Sequence, residues 1–186
     1  MKLTLFTLFV STLLSGCTIS MEYASIPMDE SGWKLGFQTI PKPIGDASYI
    51  KEIIPETDDI TNWSKIVTIQ YLDTRSNVPP IEFASALITQ IRATCPMTEW
   101  NVIDSSSRSV TYEWFFTICI PSNGAFIPNI HSAQHEIARV IFGNEGIHKT
   151  SYNEKTNNID PVTRNQWLSI IQDVKLKKDG AIIELQ

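Results

Sequence analysis

The sequence is short of the residues from which many catalytic and metal-binding sites are built. Its 186 residues include three Cys and three His, and its eight Gly form no glycine-rich loop. It contains no GxSxG, Walker A, GxGxxG or HExxH motif and no Cys-rich zinc spacing. The sequence therefore offers no set of catalytic residues and no cofactor site. We predict a protein without enzymatic activity of its own.

An excess of positive charge and an extreme composition are absent as well. Lys and Arg number 15 against 20 Asp and Glu, for a net charge of −5, which argues against a nucleic-acid partner. Ten Pro and eight Gly are ordinary counts, which exclude collagen-like and linker chains. Hydrophobic residues make up 42% of the chain and charged residues 19%. These values predict a packed core, and the length predicts a single domain.

Long hydrophobic runs are confined to the N-terminus. After the positively charged Lys2, the twelve residues 3–14 carry no charge. A helix of that length measures about 18 Å, whereas a bilayer core is about 30 Å thick. The run is therefore predicted to be the apolar part of an export signal, and the alternative is a buried core helix.

The residues that follow the apolar run are Leu14-Ser15-Gly16-Cys17. They resemble the bacterial lipoprotein box, which has an aliphatic residue, two small residues and a Cys. The resemblance implies that the Cys17 thiol receives a diacylglyceryl group, that the chain is cut before Cys17 and that the new amine is acylated. Two or more acyl chains give a lasting membrane anchor. Thr18 stands where that family's inner-membrane retention signal usually has Asp, so the resemblance implies an outer-membrane lipoprotein facing the periplasm.

These signals divide the chain into three predicted parts. Residues 1–16 are the signal peptide, residues 17–31 are a tether, and residues 32–186 form a single globular domain. The tether is predicted because residues 18–31 include few large apolar side chains.

Two cysteines remain for the folded domain. Export places Cys95 and Cys119 in an oxidising compartment, where we expect them to form a disulfide. For a separation of 24 residues the chain-entropy model gives such a bond about 3 kcal/mol of stability. The alternative is two separate buried thiols.

Apolar periodicity predicts an α+β fold made mainly of antiparallel sheet and flanked by two helices. Residues 109–120 alternate apolar and polar side chains most clearly. Pro79-Pro80 opens a helix that ends before Pro96, and Asp160-Pro161 opens a second one, with Lys175, Lys177 and Lys178 at its C-terminal end. Consecutive strands joined by short turns favour antiparallel pairing. Further strands are predicted at 33–38, 49–54, 66–72, 100–103, 136–142 and 147–152, the last as a polar edge strand.

Two resemblances accompany this pattern. The element order, with Trp63 leading into the strand Val67-Thr68-Ile69-Gln70, a following helix and a closing helix, resembles the Mog1/PsbP-like α/β/α sandwich over about 33–175. The runs Tyr112-Glu113-Trp114, Ile118-Cys119 and Glu136-Ile137-Ala138-Arg139 resemble a family of small exported proteobacterial proteins of unassigned function. Neither resemblance supplies a catalytic residue, and fold analogy says little about function.

Two weaker patterns carry possible chemistry. His131 and His135 are four residues apart and are a candidate metal-ligand pair, with Glu136 or His148 as the third ligand; the alternative is a solvated loop. Glu113 and Arg139 are candidate partners across the sheet, either as an ordinary cross-strand ion pair or as a buried charged site.

From these observations we expect a lipid-anchored, periplasm-facing interaction or scaffold module with a protein partner, such as an accessory part of a secretion or envelope assembly. The first alternative is a carrier that holds a small ligand or lipid between sheet and helix, which requires a cavity of several hundred Å³. The second alternative is a metal-dependent hydrolase that acts through His131 and His135.

Overall fold

The computed structural model describes residues 19–39, 47–119 and 133–181. The described strands form one sheet of seven and a separate ribbon of two, and two helices accompany them. This confirms the predicted α+β class with a mainly antiparallel sheet. In chain order the elements are β1 (Ile19–Ser25), β2 (Trp33–Gln38), β3 (Tyr49–Pro55), β4 (Lys65–Leu72), α1 (Pro80–Thr94), β5 (Glu99–Ser105), β6 (Ser109–Phe116), β7 (Gln134–Phe142), β8 (Ile147–Glu154), α2 (Pro161–Gln172) and β9 (Lys175–Ala181).

Some of the predictions fall on residues outside this description. They are the signal peptide 1–16, the lipoprotein box with Cys17, and His131. Across the described ranges, neither helix combines the length and the apolar character that a membrane crossing requires.

The large sheet has the strand order β2-β3-β4-β8-β7-β6-β5, with every neighbouring pair antiparallel. β8 lies between β4 and β7, so the prediction that it is an edge strand was wrong. Its polar side chains misled the pattern because several of them are buried between the neighbouring strands, as His148, Thr150 and Ser151 are. The outermost strands of this sheet are β2 and β5.

The two helices pack on opposite faces of the sheet. Alternation along β6 places Val110, Tyr112, Trp114 and Phe116 on one face, in a core shared with Ala84 and Ile88 of α1. The other face packs against α2, whose Trp167 and Ile171 share a second core with residues of β4, β7 and β8. The ring of Trp167 stacks on that of Tyr152 with centroids 4.0 Å apart. Each face of the central strands is therefore buried by a helix, α1 on one side and α2 on the other.

The predicted disulfide is present and lies at the C-terminal end of α1. The helix begins after Pro79, ends at Thr94, and is followed by Cys95. β6 ends at Phe116, short of the predicted limit at 120, and Cys119 beyond it bonds to Cys95 with Cα atoms 4.7 Å apart. The cross-link fastens the end of the helix to the end of the strand it covers.

Both chain ends of the described region contradict the predicted boundaries. β1 lies inside the segment 17–31 predicted as a tether, and it pairs with β9 along its whole length. α2 ends at Gln172, so Lys175, Lys177 and Lys178 belong to β9 and not to the end of a helix. Neither strand has a strong apolar pattern, and each is held in place by the other, which a local pattern does not reveal.

Candidate ligand-binding cleft

A cleft of about 500 Å³ opens where α1 leaves part of the sheet uncovered. The helix packs on β5, β6 and β7, and the cleft lies along its edge, between the helix and residues of β4, β6, β7 and β8. Pockets of this size hold small organic ligands.

One side of the cleft is apolar and aromatic. Leu87 and Ile91 stand one turn apart on α1, and β6 contributes Tyr112, Trp114 and Phe116 at every second position. The rings of Trp114 and Phe116 are stacked, with centroids 5.8 Å apart and an interplanar angle of 18°. These residues form a flat surface against which a planar or acyl group can pack.

The opposite side holds one buried ion pair. The Lys149 ammonium lies 3.0 Å from Glu136 Oε1, and the side chains are only 16% and 10% exposed. The Trp114 indole N–H donates to the same Oε1 at 2.9 Å, and Lys149 also donates to Ser151 Oγ at 3.2 Å. A pair this well enclosed is expensive to desolvate, which marks it as a candidate for function as well as structure.

The rest of the lining is uncharged. Gln70 and Gln134 come from the sheet, and Gln90, Thr94 and Cys95 from the helix and its end. Burial and the nearby carboxylate of Glu136 raise the pKa of Tyr112 well above its usual value, so its phenol stays neutral. The cleft therefore combines an apolar surface, several neutral polar groups and one balanced pair of charges.

A second polar cluster lies on the opposite face of the sheet and belongs to structure. Arg164 donates from Nε and from a terminal nitrogen to the two oxygens of Glu113, both at 2.8 Å. His135 Nε2 is 3.3 Å from Glu113 Oε2, and its Nδ1 accepts the backbone N–H of Ile159 at 3.2 Å. The hydrogen bond from His135 and then those from Arg164 and Asn101 hold the pKa of Glu113 well below its usual range.

This cluster corrects the predicted pairing of Glu113 with Arg139. Thr111, not Glu113, lies opposite Arg139 in the register of β6 and β7, and the Arg139 guanidinium bonds to the carbonyl of Gln172 at the end of α2. The true partner, Arg164, is 51 residues away in sequence. Nothing in the local pattern of α2 singled it out.

The structure brings neither predicted third ligand to His135. Glu136 is the next residue along β7 and its side chain contacts Trp114 on the other face. His148 lies opposite Ile141, six residues along β7 from His135, about 20 Å at the strand rise. No group of three potential ligands of the kind that holds a metal occurs among the described residues.

A third cluster fastens the β1–β9 ribbon to the turn between β7 and β8. The backbone N–H of Asn144 donates to Glu22 Oε2 and that of Glu22 to Glu145 Oε2, both at 2.9 Å. Lys178 of β9 reaches Glu145 at 2.7 Å. Buried beneath them, His148 has Nε2 3.5 Å from Glu22 Oε2. Neither ring nitrogen meets the geometry of a hydrogen bond with any residue that the structure describes. Burial lowers the pKa of His148, against the opposing pull of Glu22.

The sequence pattern singles out no residue of this cleft for the carrier hypothesis. The pattern favours Glu136 only as a metal ligand, and it places Lys149 on a predicted edge strand. One signal was present, because Trp114 and Tyr112 share a strand face that had to be covered. The pairing of β8 with β4, which sets Lys149 opposite Gln70, joins segments almost 80 residues apart in the sequence and could not be inferred from local pattern.

Comparison with known proteins assigns the chain to no family. No protein-family model matches the chain, and no curated protein is significantly similar to it.

Proposed function

We propose that this protein is a lipid-anchored, periplasm-facing protein of the outer membrane whose domain holds a small ligand in the cleft beside α1, without catalysis. The anchor part of the proposal is supported by the resemblance of residues 14–17 to the lipoprotein box. The ligand part is supported by one observation above all, the cleft of about 500 Å³. That volume meets the requirement of a carrier, and the lining residues provide an apolar surface with a few polar groups, as small-molecule sites do.

Binding of an uncharged fluorescent probe, N-phenyl-1-naphthylamine, tests the ligand part. We expect the wild-type chain to bind the probe with enhanced fluorescence and Ile91→Gln to weaken binding about tenfold, since an amide placed in the apolar wall loses its water without gaining a partner. Ile81→Gln is the matched control, because Ile81 is on the same helix but is exposed and away from the cleft.

A second pair of variants separates loss of the cleft from loss of the fold. Gln90 is exposed and borders the cleft, so Gln90→Trp narrows it without disturbing a buried position. The neighbouring Thr89→Trp leaves the cleft open. Equal probe binding by Gln90→Trp and Thr89→Trp, or no binding by the wild-type chain, would contradict the carrier proposal.

A second candidate function, the protein-interaction module, is favoured by the outermost strand β2. Leu35 and Phe37 of this strand are 53% and 46% exposed, and an edge strand with exposed apolar side chains can accept a strand from a partner. Co-purification of another envelope protein with the detergent-extracted chain would support it, and a solitary monomer under cross-linking would contradict it.

A further inference from the structure

The positive and negative charges that line the cleft are equal in number and form an ion pair with each other. Of the twelve described residues that line it, only Glu136 and Lys149 are charged, and they are the two members of this pair. A ligand that approaches them meets no net charge. This arrangement differs from a site for an anion or a cation, where unbalanced groups of the opposite sign face the ligand.

The pair nevertheless has hydrogen-bonding capacity to spare. Lys149 has three N–H groups and uses two, on Glu136 and Ser151. Glu136 receives both Trp114 and Lys149 on Oε1, and its Oε2 accepts no hydrogen bond from the part of the chain that the structure describes. The pair therefore has one N–H of Lys149 and one oxygen of Glu136 to offer a ligand.

The charge balance also determines which ligands would be penalised. A carboxylate placed here would share one ammonium with Glu136, and a ligand ammonium would share one carboxylate with Lys149. In a mostly apolar cleft either third charge is left uncompensated and loses its hydration. An uncharged group with a donor and an acceptor on one edge can hydrogen-bond to both the free N–H of Lys149 and Oε2 of Glu136, and it brings no third charge into the cleft.

We infer that the ligand of this cleft is an uncharged molecule with a flat apolar body and one amide-like edge, bound with its edge on Lys149 and Glu136 and its body against Leu87, Ile91 and the rings of β6. The inference rests on the proposed function and adds the chemical class of ligand to it. The amide edge accepts from the Lys149 ammonium and donates to Glu136 Oε2, and the body packs beside the indole of Trp114.

Three probes with one body and different charges test the inference. They are 2-naphthamide, 2-naphthoate and 2-naphthylmethylammonium, titrated at pH 7 by calorimetry. We expect the wild-type chain to bind the neutral amide at least about tenfold more tightly than either ion. Similar affinity for all three, or preference for an ion, would overturn the inference while leaving the cleft as a binding site. Failure of all three to bind would instead contradict the proposed function.

Variants of the pair should then change the preference in opposite directions. Lys149→Met leaves the Glu136 carboxylate and should move the preference to 2-naphthylmethylammonium, whereas Glu136→Gln leaves the Lys149 ammonium and should move it to 2-naphthoate. The double variant, which buries no unpaired charge, covers the case in which a single variant fails to fold. We expect it to bind the amide about tenfold more weakly than wild type and to discriminate less against the ions. Unchanged selectivity in the double variant would overturn the inference.

Discussion

Glu113 shows how a single carboxylate can join several elements. It lies on β6 and receives hydrogen bonds from Asn101 of β5, His135 of β7 and Arg164 of α2. The backbone N–H of Ile159 occupies His135 Nδ1, so the proton on the ring is at Nε2, where it faces the carboxylate. The arrangement fixes α2 to the sheet and leaves the histidine no free nitrogen for a metal or for proton transfer.

Replacement of this carboxylate should cost stability in a pH-dependent way. At pH 7 we expect Glu113→Gln to lower the free energy of unfolding by about 3 kcal/mol, since Arg164 loses its buried partner. The pKa of Glu113 is lowered from a usual value of 4.5, so its contribution is complete above pH 4.5 and is lost as the pH falls through the lower, folded-state pKa.

Urea denaturation of wild type and variant between pH 3 and pH 7 measures this difference. The exposed Glu99 on β5 provides the control Glu99→Gln, for which we expect less than about 0.5 kcal/mol. A penalty for Glu113→Gln that stays constant down to pH 3 would show that the ionised carboxylate is not what stabilises the cluster.

At the scale of elements, the β1–β9 ribbon is attached to the rest of the protein both by charge and by apolar packing, since Ala24 of β1 is buried in the core beneath α2 and Leu176 of β9 packs against that core. Glu22 of β1 and Lys178 of β9 make the polar contacts with Asn144 and Glu145 in the turn that follows β7, and the nearby His148 is buried at 1% exposure. The ring of Tyr71 is 5.0 Å from the imidazole. A proton on this imidazole would have to be held in a site that offers it little solvation.

Acid should therefore weaken the protein between the unfolded and folded pKa values of His148. The folded pKa is lowered from 6.5, so the unfolded chain takes up the proton first, and stability falls as the pH drops below 6.5 by at most about 1.4 kcal/mol per pH unit. His148→Phe keeps a ring beside Tyr71 and removes the titrating group.

Thermal unfolding at pH 7.5, 6.5 and 5.5 compares the two proteins. We expect the variant to lose less stability than wild type between pH 6.5 and 5.5, because its ring takes up no proton in either state. Parallel losses in the two proteins over that interval would mean that other groups account for the acid sensitivity.

At the scale of the whole molecule, the proposed anchor and the folded part are very close in sequence. Cys17 precedes the first residue of β1 by two positions, and two residues of extended chain reach about 7 Å. A lipid on Cys17 would therefore hold the β1–β9 ribbon near the membrane surface, and the segment predicted as a tether would not separate the domain from the bilayer.

Lipidation at Cys17 is tested in the intact bacterium by palmitate labelling and membrane fractionation. We expect the wild-type chain to be labelled and membrane-bound, and Cys17→Ala to lose the label and its lasting attachment, because a thioether requires the thiol. Thr18→Asp is the control, since it keeps the acceptor and, by the same family resemblance, should move the labelled protein to the inner membrane. A mature chain that begins at any residue other than Cys17 would contradict the anchor.

Local sequence was enough to predict those features whose pattern lies within one segment of the chain. Side-chain period predicts the alternation along β6, and the backbone chemistry of proline predicts where α1 and α2 begin. The Cys95–Cys119 bond also followed, because few cysteines were left to pair. These features depend on neighbours along the chain.

The tertiary structure decided whatever depends on which distant segments meet. It placed β8 in the centre of the sheet, paired β1 with β9, gave Glu113 its partner Arg164, and set Lys149 beside Glu136 in a cleft. A charged residue in a strand has the same local pattern whether it faces water or a buried partner. The free energy of burying its charge depends on groups that come near only when the chain folds. The sequence by itself thus determined the elements from β2 to α2 and the bond between the cysteines. Folding determined how the two end strands pair and where the cleft lies.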